Sequence, residues 1–397
     1  MPRKFPFLLA GCFALLSACA SSPPIPSVVG STTESAEPST SELAQAQATP
    51  PAVAADGYRA FREQSRAGYL AIARTRNADA RQPTARNQQS TGVLDIHFID
   101  VGQGDSTLIV CPNGKTILID IGSKGGGEPE SIRDYIWEQL DPDSPRLDTL
   151  VITHADGDHF NLIPFALDGV DVRGVVRVGD YAHFSKMGMP AEYDIQEWLK
   201  SIRDITRKLG PNDFDAPGAP SKRFDCGEAD IYVLAADIRD TSDWWKNTRS
   251  IVLKVTFGEF DAILTGDATF LTENAILDRY QQDFLHSELL KVGHHGSRTT
   301  STSDAWAAAV RPMVAIASSG EENKFGHPSL DVVRRLESYL SPWPAHPMVS
   351  GSGKKGAYRW HASNDYTKAM FNTASSGTIV VSASRDGSFD IYQFSYE

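Results

Sequence analysis

Cysteine is scarce in this chain, which excludes a zinc knuckle built from CxxC pairs. Only four cysteines occur in 397 residues, and no two of them have CxxC spacing. Cys12 and Cys19 lie near the amino terminus, which leaves Cys111 and Cys226 in the body of the chain. In an oxidising compartment these two could form one disulfide, and otherwise they are small buried side chains. The sequence leaves both alternatives open.

Positive charge is also in short supply. The chain has 38 Lys and Arg against 50 Asp and Glu, a formal net charge of -12. This balance argues against a protein whose main task is to coat nucleic acid, although it is compatible with a local basic patch. Apolar residues make up 41% of the chain, enough for a well-packed core. The length allows one large domain with appendages.

Long apolar runs are lacking as well. The run at residues 5–16 is too short for an ordinary membrane-spanning helix. It follows Arg3 and Lys4, and a positive segment before a short apolar run is typical of a signal peptide. We therefore expect residues 1–18 to be a signal peptide.

The residues that end this leader point to a lipid anchor. Leu16-Ser17-Ala18-Cys19 resembles the lipobox of bacterial lipoproteins, in which the cysteine is lipidated before cleavage. The resemblance implies that Cys19 attaches the protein to a membrane. Because Ala20 follows rather than aspartate, we expect secretion through the inner membrane and an outer-membrane lipoprotein facing the periplasm. A simple secretory peptide cleaved elsewhere is the alternative.

Two polar segments separate the leader from the folded domain. Residues 19–56 are rich in Ser, Pro, Ala and Thr, which predicts a flexible tether because such a segment buries too little surface to offset its ordering entropy. Residues 57–90 form a predicted helical and linker segment, with an amphipathic helix at residues 58–76. We expect the folded domain to occupy residues 91–397.

Strand and turn signals dominate the first part of this domain. Residues 94–100 alternate like a strand, and residues 101–106 are interpreted as a Gly-rich turn. Pro112-Asn113-Gly114 joins two apolar runs, which is typical of a hairpin. Residues 130–140 are predicted to be helical, and residues 147–153 to be a buried strand. Strands, a helix and a further strand in this order predict a layered α/β sandwich.

The later part of the domain is harder to interpret. Residues 329–340 have a helical pattern, and residues 378–394 predict a closing hairpin. Between them, residues 343–374 are interpreted as a mobile loop. The alternative is that Lys354 and Lys355, placed among glycines and aromatics, contact phosphate and base.

The charged hexad His154-Ala155-Asp156-Gly157-Asp158-His159 follows the predicted buried strand. Two carboxylates and two imidazoles within six residues would repel one another or stay unsatisfied if they were buried without a cation. Imidazole and carboxylate are also common ligands of divalent metals. The hexad therefore predicts a metal site.

The hexad resembles the first metal motif of the metallo-β-lactamase superfamily, HxHxDH, with Asp156 in place of the second histidine. That variant is common in the metallohydrolase domain of ComEC-like competence proteins and in phosphorylcholine esterases. Further similar motifs follow in family order over residues 93–395. They are DVGQGD at 100–105, LIDIG at 118–122, NTRSIVL at 247–253, LTGD at 264–267, LKVGHHGS at 290–297 and GHP at 326–328.

This resemblance implies an αββα sandwich, with two mixed β-sheets flanked by helices, and two divalent metal ions. Its implied ligands are Asp158, His159, Asp267 and His327 for one ion, and His154, Asp156 and the shared Asp267 for the other. Such mixed ligation suits zinc, with manganese as the alternative.

The resemblance also implies catalytic residues. Besides Asp158, the glycine loop at His294 and His295 is expected to contact the substrate phosphate or the leaving group, with a slight preference for His295. A third histidine for the ion at the first pair is missing, because His183 is the only histidine between the hexad and Asp267. We interpret His183 as a surface or packing residue.

The function implied by the resemblance is hydrolysis by a hydroxide that bridges two metals. The expected substrate is an anionic phosphodiester, either nucleic acid or a phosphorylcholine-like compound. Three alternatives remain: a β-lactam or other ester or amide hydrolase, a non-catalytic binding lipoprotein, and an accessory of a DNA-uptake or secretion machine.

Overall fold

The computed structural model describes residues 52–53, 92–140, 144–184, 193–239, 241 and 245–394. All of them belong to the unit Pro50–Glu397. The predicted signal peptide, Cys19, most of the tether and the whole 57–90 segment lie outside the described residues. Within the described ranges, no helix has the length and apolar character needed to cross a membrane.

Nineteen strands and ten α-helices are described. The strands are β1 (Ala52–Val53), β2 (Leu94–Phe98), β3 (Gly102–Val110), β4 (Thr116–Gly126), β5 (Arg146–Leu147), β6 (Thr149–Ile152), β7 (Asp171–Val172), β8 (Val175–Arg177), β9 (Thr206–Lys208), β10 (Asp230–Ala235), β11 (Val252–Phe257), β12 (Phe260–Leu264), β13 (Leu289–Lys291), β14 (Val314–Ala317), β15 (Pro342–Lys354), β16 (Ala357–Lys368), β17 (Met370–Asn372), β18 (Thr378–Ala383) and β19 (Phe389–Phe394). The helices are α1 (Pro129–Gln139), α2 (Gly157–Phe160), α3 (Ile163–Ala166), α4 (Ile195–Ser201), α5 (Trp245–Thr248), α6 (Phe270–Leu277), α7 (Gln282–Leu285), α8 (Asp304–Val310), α9 (Leu330–Leu336) and α10 (Thr373–Ser376). Short 3-10 turns occur at Tyr181–His183, Arg203–Ile205 and Gly293–Gly296.

Two large mixed sheets form the centre of the domain. One has eight strands in the order β19-β18-β2-β3-β4-β6-β8-β9, and the other has six in the order β10-β11-β12-β13-β14-β17. Each sheet is antiparallel on one side and parallel on the other: the parallel strands are β4-β6-β8-β9 in the first and β12-β13-β14-β17 in the second. A smaller sheet contains β1, β16 and β15, and β5 pairs with β7.

Three apolar clusters divide the domain into four layers. The first cluster fills the space between the two sheets, where Ile96 of β2 and Leu253 of β11 are both fully or almost fully buried. The second packs helices α6, α8 and α9 on the outer face of the six-stranded sheet. The third packs α1, α3 and α4 on the eight-stranded sheet. Burying each large apolar side chain contributes about 2 kcal/mol. The predicted αββα sandwich is confirmed.

Most elements predicted from sequence patterns are present. The hairpin at Pro112-Asn113-Gly114 joins β3 to β4, and the closing hairpin is β18–β19. Helix α1 matches the predicted helix within one residue at each end, and α9 is shorter than predicted. The predicted buried strand corresponds to β6.

Two interpretations were wrong. Residues 102–106 belong to β3 rather than to a turn. Gly104 is needed there because a Cβ would collide with the carbonyl of Gly122 and approach that of Asp158. Residues 343–374 are not a loop, since most of them form the paired strands β15 and β16, followed by β17 and α10.

Cys111 and Cys226 form a disulfide, with their Cα atoms 4.9 Å apart. Cys111 follows β3 and Cys226 precedes β10, so the bond joins the two large sheets. Of the two alternatives left by the sequence, the structure has the disulfide.

Candidate metal centre

The site lies where several strands end at the same edge of the sandwich. His154 follows β6, Asp267 follows β12 and His295 follows β13. The carboxyl ends of parallel strands are a common place for ligand sites because the loops that follow them converge. The two sheets therefore contribute side chains to one centre.

The hexad is only partly a loop. Its second half is the first turn of α2, and Asp156 caps this helix by accepting a hydrogen bond from Gly157 N at 3.0 Å. Asp158 and His159 stand in that turn and are buried together with His154. The helix start explains how three side chains so close in sequence can face one point.

Three overlapping groups of buried side chains have ligand atoms within 4.8 Å of one another. A fourth group of the same kind contains Asp120. The groups are His154, His159 and Asp267; Asp158, His159 and His295; Asp105, Asp267 and His295; and Asp105, Asp120 and His159. His159 occurs in three of these groups, and Asp105, Asp267 and His295 each occur in two.

Several atoms of these groups have no hydrogen-bond partner among the described residues, including His154 Nε2, His295 Nε2 and Asp267 Oδ1. The same holds for Nδ1 of the neighbouring His327. Leaving a buried polar atom unpaired costs free energy, and an acceptor nitrogen or carboxylate oxygen can recover it by binding a cation. The residues present therefore fit divalent metal ions, and their mixed donor set suits zinc.

The surroundings of the site lower the pKa of Asp158 and Asp267 and shift the pKa values of the histidines in two directions. Burial would raise the pKa of Asp158 and Asp267, but the neighbouring imidazoles lower both. Burial lowers the pKa of His154 and of His327 well below the usual range, which keeps them in the neutral form that binds metals. For His159, Asp267 and Asp120 outweigh burial and raise the pKa.

Asp120 is a site residue that the sequence analysis quoted only as part of a motif. Its Oδ2 accepts a hydrogen bond from His159 Nδ1 at 2.7 Å, and its Oδ1 accepts one from Thr153 N at 2.8 Å. A carboxylate behind a ligating histidine fixes the orientation of the ring and its tautomer. Asp120 is fully buried, with a φ of 59°. The LIDIG resemblance was the only signal that could have found it.

His294 and His295 face the site because both have left-handed backbone conformations, with φ of 46° and 55°. His295 Nδ1 donates to Ser318 O at 2.8 Å, and its Nε2 lies 3.4 Å from Asp158 Oδ2 and from Asp267 Oδ2. That geometry suits a metal ligand, so the structure brings His295 into the ligand groups as well as into the cleft.

His294 is held differently. Its Nδ1 contacts Thr300 Oγ1 at 2.6 Å, its Nε2 lies 3.0 Å from Asn247 Nδ2, and Asp267 Oδ2 is 3.7 Å away. It belongs to none of the four ligand groups, yet it lines the cleft. The contact with Asn247 was not foreseen in the sequence.

Asp156 and His327 belong to none of the four ligand groups found among the described residues. Asp156 Oδ2 lies 3.5 Å from Lys124 Nζ, and the His327 ring centroid is 5.7 Å from that of His294. Their roles as ligands stay predictions. His183 lies in a 3-10 turn and accepts a hydrogen bond from Asp180 N at 3.0 Å, which agrees with a packing role.

Two lysines also belong to the site and were missed. Lys291 forms a buried ion pair with Asp105. Lys124 Nζ lies 2.7 Å from Asp158 Oδ1. A cleft of about 370 Å³ opens over the centre and is lined by Lys124, Asp158 and His295 among others.

The comparisons with known proteins agree with this geometry. The family model described as the metallo-beta-lactamase superfamily matches residues 99–310. The chain is 27% identical over 264 residues to ComE operon protein 3 of Bacillus subtilis, which covers 62% of this chain and 31% of the relative. It is 30% identical over 256 residues to Recombination protein 2 of Haemophilus influenzae, covering 64% of this chain and 28% of the relative.

Competence protein ComA of Neisseria gonorrhoeae is 28% identical over 242 residues, covering 60% of this chain and 29% of the relative. The chain thus spans about a third of the length of the curated relatives it matches. Among solved structures, a Parabacteroides distasonis protein described as a metal-dependent hydrolase overlaps 64% of this chain and 94% of its own, with 17% identity and a TM-score of 0.38. Because the family model matches more than half of the sequence, the chain belongs to the metallo-beta-lactamase superfamily, and its domain is similar to the metallohydrolase domain of ComEC-like competence proteins.

Proposed function

We propose that this protein is a metal-dependent hydrolase that acts on phosphodiesters through a dinuclear centre. The observation that carries the proposal is the buried group around Asp267, beside an open cleft. In this group Asp267 Oδ1, His154 Nε2 and His295 Nε2 have no hydrogen-bond partner among the described residues. Two cations held there by His154, His159, Asp158, Asp267 and His295 would supply Lewis acidity and a nucleophilic water. Zinc fits this donor set, and manganese is the alternative.

The side chains around the cleft support an anionic substrate. Lys124, Arg298, Lys354 and Lys355 all line it, although the chain as a whole is acidic. Cations at a cleft raise the local concentration of anions and stabilise phosphate oxygens. A β-lactam or another ester or amide would gain less from such a lining, so we place these substrates second.

His294 is the side chain we assign to contact with the phosphate or its leaving group. It lines the cleft, and its position is fixed by Thr300 and Asn247. Burial lowers its pKa, which keeps the imidazole neutral near pH 7. A neutral imidazole at this position can accept or relay a proton during bond cleavage.

A second proposal concerns the setting of the enzyme. Two of the relatives named above, ComA and ComE operon protein 3, have competence-related names. These names favour an accessory of a DNA-uptake or secretion machine. We also propose the lipid anchor at Cys19 and the periplasmic face of the outer membrane. The disulfide between Cys111 and Cys226 supports an oxidising compartment. A non-catalytic binding lipoprotein is the outcome that would contradict the first proposal.

The test measures both the metal content and the activity of the protein. The mature protein would be analysed for bound metal and assayed on bis-p-nitrophenyl phosphate, single-stranded DNA and a chromogenic cephalosporin. We expect bound zinc or manganese and phosphodiester cleavage that falls about a hundredfold or more in Asp267→Ala.

Asp225→Ala serves as the matched control, because Asp225 is exposed and pairs with Lys115 at the other end of β4. Absence of metal, or equal activity in wild type and Asp267→Ala, would rule out the proposed enzyme. Cleavage of the cephalosporin alone would replace the phosphodiester with a β-lactam.

A further inference from the structure

The turn that joins β15 to β16 forms one wall of the cleft over the metal centre. We define the hairpin tip as Lys354, Lys355 and Tyr358, and all three line the same cleft as His294 and His295. We propose that the hairpin tip is a second binding subsite, which holds a phosphate and an adjacent base of an extended substrate. The inference rests on the proposed phosphodiesterase function and identifies side chains that would set its specificity.

The charges at the cleft single out the tip lysines as the cations available for a ligand. Lys124 is already paired with Asp158 at 2.7 Å, and Arg298 is paired with Asp331 at 3.1 Å. Lys354 and Lys355 are exposed, and neither has an ion pair among the residues that the structure describes. Two adjacent cations without an acidic partner, in a chain of net charge -12, suit a phosphate group that comes from outside.

The tip is fixed to the loop that carries His327. Gly351 N donates to Pro328 O at 2.8 Å, and a Cβ on Gly326 would lie only 2.5 Å from Tyr358 Cδ1. Gly326 has a φ of 70°, a conformation that favours glycine, so the ring of Tyr358 can pack directly on this backbone. The tip therefore has a defined position relative to the metal centre.

Aromatic rings accompany the charges. Tyr358 is half-buried in the cleft wall, and Phe325 lines the same cleft. The Phe325 ring is stacked on His327, with centroids 5.7 Å apart and an interplanar angle of 23°. A base can stack on such rings whatever its identity, and adjacent lysines then reach its phosphate. Cations and rings together favour a nucleotide unit over a small phosphate ester without a base.

The alternative role of the tip is unspecific attraction of anions. In that case both lysines would act on every anionic substrate, and Tyr358 would matter little. A binding subsite instead affects only those substrates that extend beyond the phosphate being cleaved. The two roles can be separated by comparing a long and a minimal substrate.

The experiment uses the mature protein with its metal, Lys354→Gln/Lys355→Gln as a double variant, and Tyr358→Ala with Tyr358→Phe. For a single-stranded oligonucleotide, we expect kcat/KM to fall by about tenfold or more in the double variant and in Tyr358→Ala, mainly through KM. Tyr358→Phe should keep the wild-type value because it keeps the ring. For bis-p-nitrophenyl phosphate, the fall of kcat/KM in the double variant should be at least about threefold smaller than the fall for the oligonucleotide.

The charge-matched control is Lys200→Gln/Lys222→Gln, which removes two exposed lysines outside the cleft. It should change neither substrate's kinetics. Equal losses on both substrates in the tip variants, or no loss on the oligonucleotide, would overturn the subsite.

A binding measurement keeps the subsite testable if hydrolysis itself is not found. A fluorescent phosphorothioate oligonucleotide is titrated at several salt concentrations, followed by anisotropy. In the double lysine variant, we expect the slope of log K against log salt to be smaller than in wild type, by about 0.7 for each lysine that contacts a phosphate. If the slope is smaller in the variant but the wild type shows no hydrolysis, the proposed function is contradicted and the subsite is retained. An unchanged slope and affinity would reject the subsite.

Discussion

Asp120 acts on the centre through His159, because its carboxylate accepts hydrogen bonds from His159 Nδ1 and Thr153 Oγ1. Replacing it with asparagine removes the charge while nearly keeping the shape. We expect Asp120→Asn to lower metal affinity about 10- to 100-fold, since the His159 ring loses the partner that orients it. Competition with a chromogenic chelator measures this affinity.

Asp148→Asn is the control for Asp120→Asn, because Asp148 also accepts a hydrogen bond from a backbone amide, that of Thr116. It should bind metal as the wild type does. If Asp120→Asn kept full affinity, the orientation of His159 by Asp120 would be unimportant.

The sequence indicated the candidate ligands better than it indicated the residues that support them. His154, Asp158 and His159 stand together in one short segment, and their types alone indicate a metal site. Asp105 and Lys291 are far apart in sequence, and their ion pair exists only because β3 and β13 belong to two sheets that face each other. Pairing of that kind cannot be read from local spacing.

At the scale of elements, Glu273 connects helix α6 to the start of α8. Its carboxylate accepts hydrogen bonds from Thr302 N and, at 2.9 Å, from Ser303 N. Burial raises the pKa of Glu273 to about 7, although these amides and Arg335 lower it. The folded protein therefore binds this proton more tightly than the unfolded chain does. The resulting stability is complete at pH values below the unfolded pKa and is lost as pH rises through about 7.

Glu273→Gln should remove this pH dependence, because glutamine does not ionise. We expect the difference in free energy of unfolding, variant minus wild type, to rise by up to roughly 3 kcal/mol between pH 4.5 and 7.5. Urea denaturation across this range measures the difference. A constant difference would mean that Glu273 titrates normally. Glu337→Gln, at a half-buried position after α9, is the comparison variant.

The hairpin β15–β16 shows why some elements escaped sequence analysis. Strand β15 contains three prolines and two glycines, which usually interrupt strands. Gly351 is required because a Cβ would lie 2.6 Å from Gly326 O. Glycine is therefore required in this strand, but for the close approach of two backbones and not for a loop. A close approach can be distinguished from a loop only when the neighbouring segment, which is distant in sequence, is known.

At the scale of the whole molecule, the disulfide closes a long loop. Cys111 and Cys226 are separated by 115 residues, and a native link of this kind typically contributes about 2–5 kcal/mol. We expect Cys111→Ser/Cys226→Ser to lower the free energy of unfolding by this amount in urea denaturation. Metal content should stay unchanged, because the cysteines lie at the ends of the strands opposite the centre.

The comparison is made in the oxidised and the reduced state. Reduction should destabilise the wild type and leave the double serine variant unaffected. Equal stability of oxidised and reduced wild type would show that the bond contributes nothing.

The positions of the disulfide and the centre have a consequence for how the two sheets separate. The disulfide joins them at one end. At the other end the candidate ligands come from both sheets: His154 and His159 from the eight-stranded side, Asp267 and His295 from the six-stranded side. A cation bound there would act as a removable cross-link between the two sheets, which the disulfide already joins at their far edge. Chelation should therefore open the sandwich from the metal end, so that amide hydrogens near this end exchange faster while those beside the disulfide stay protected.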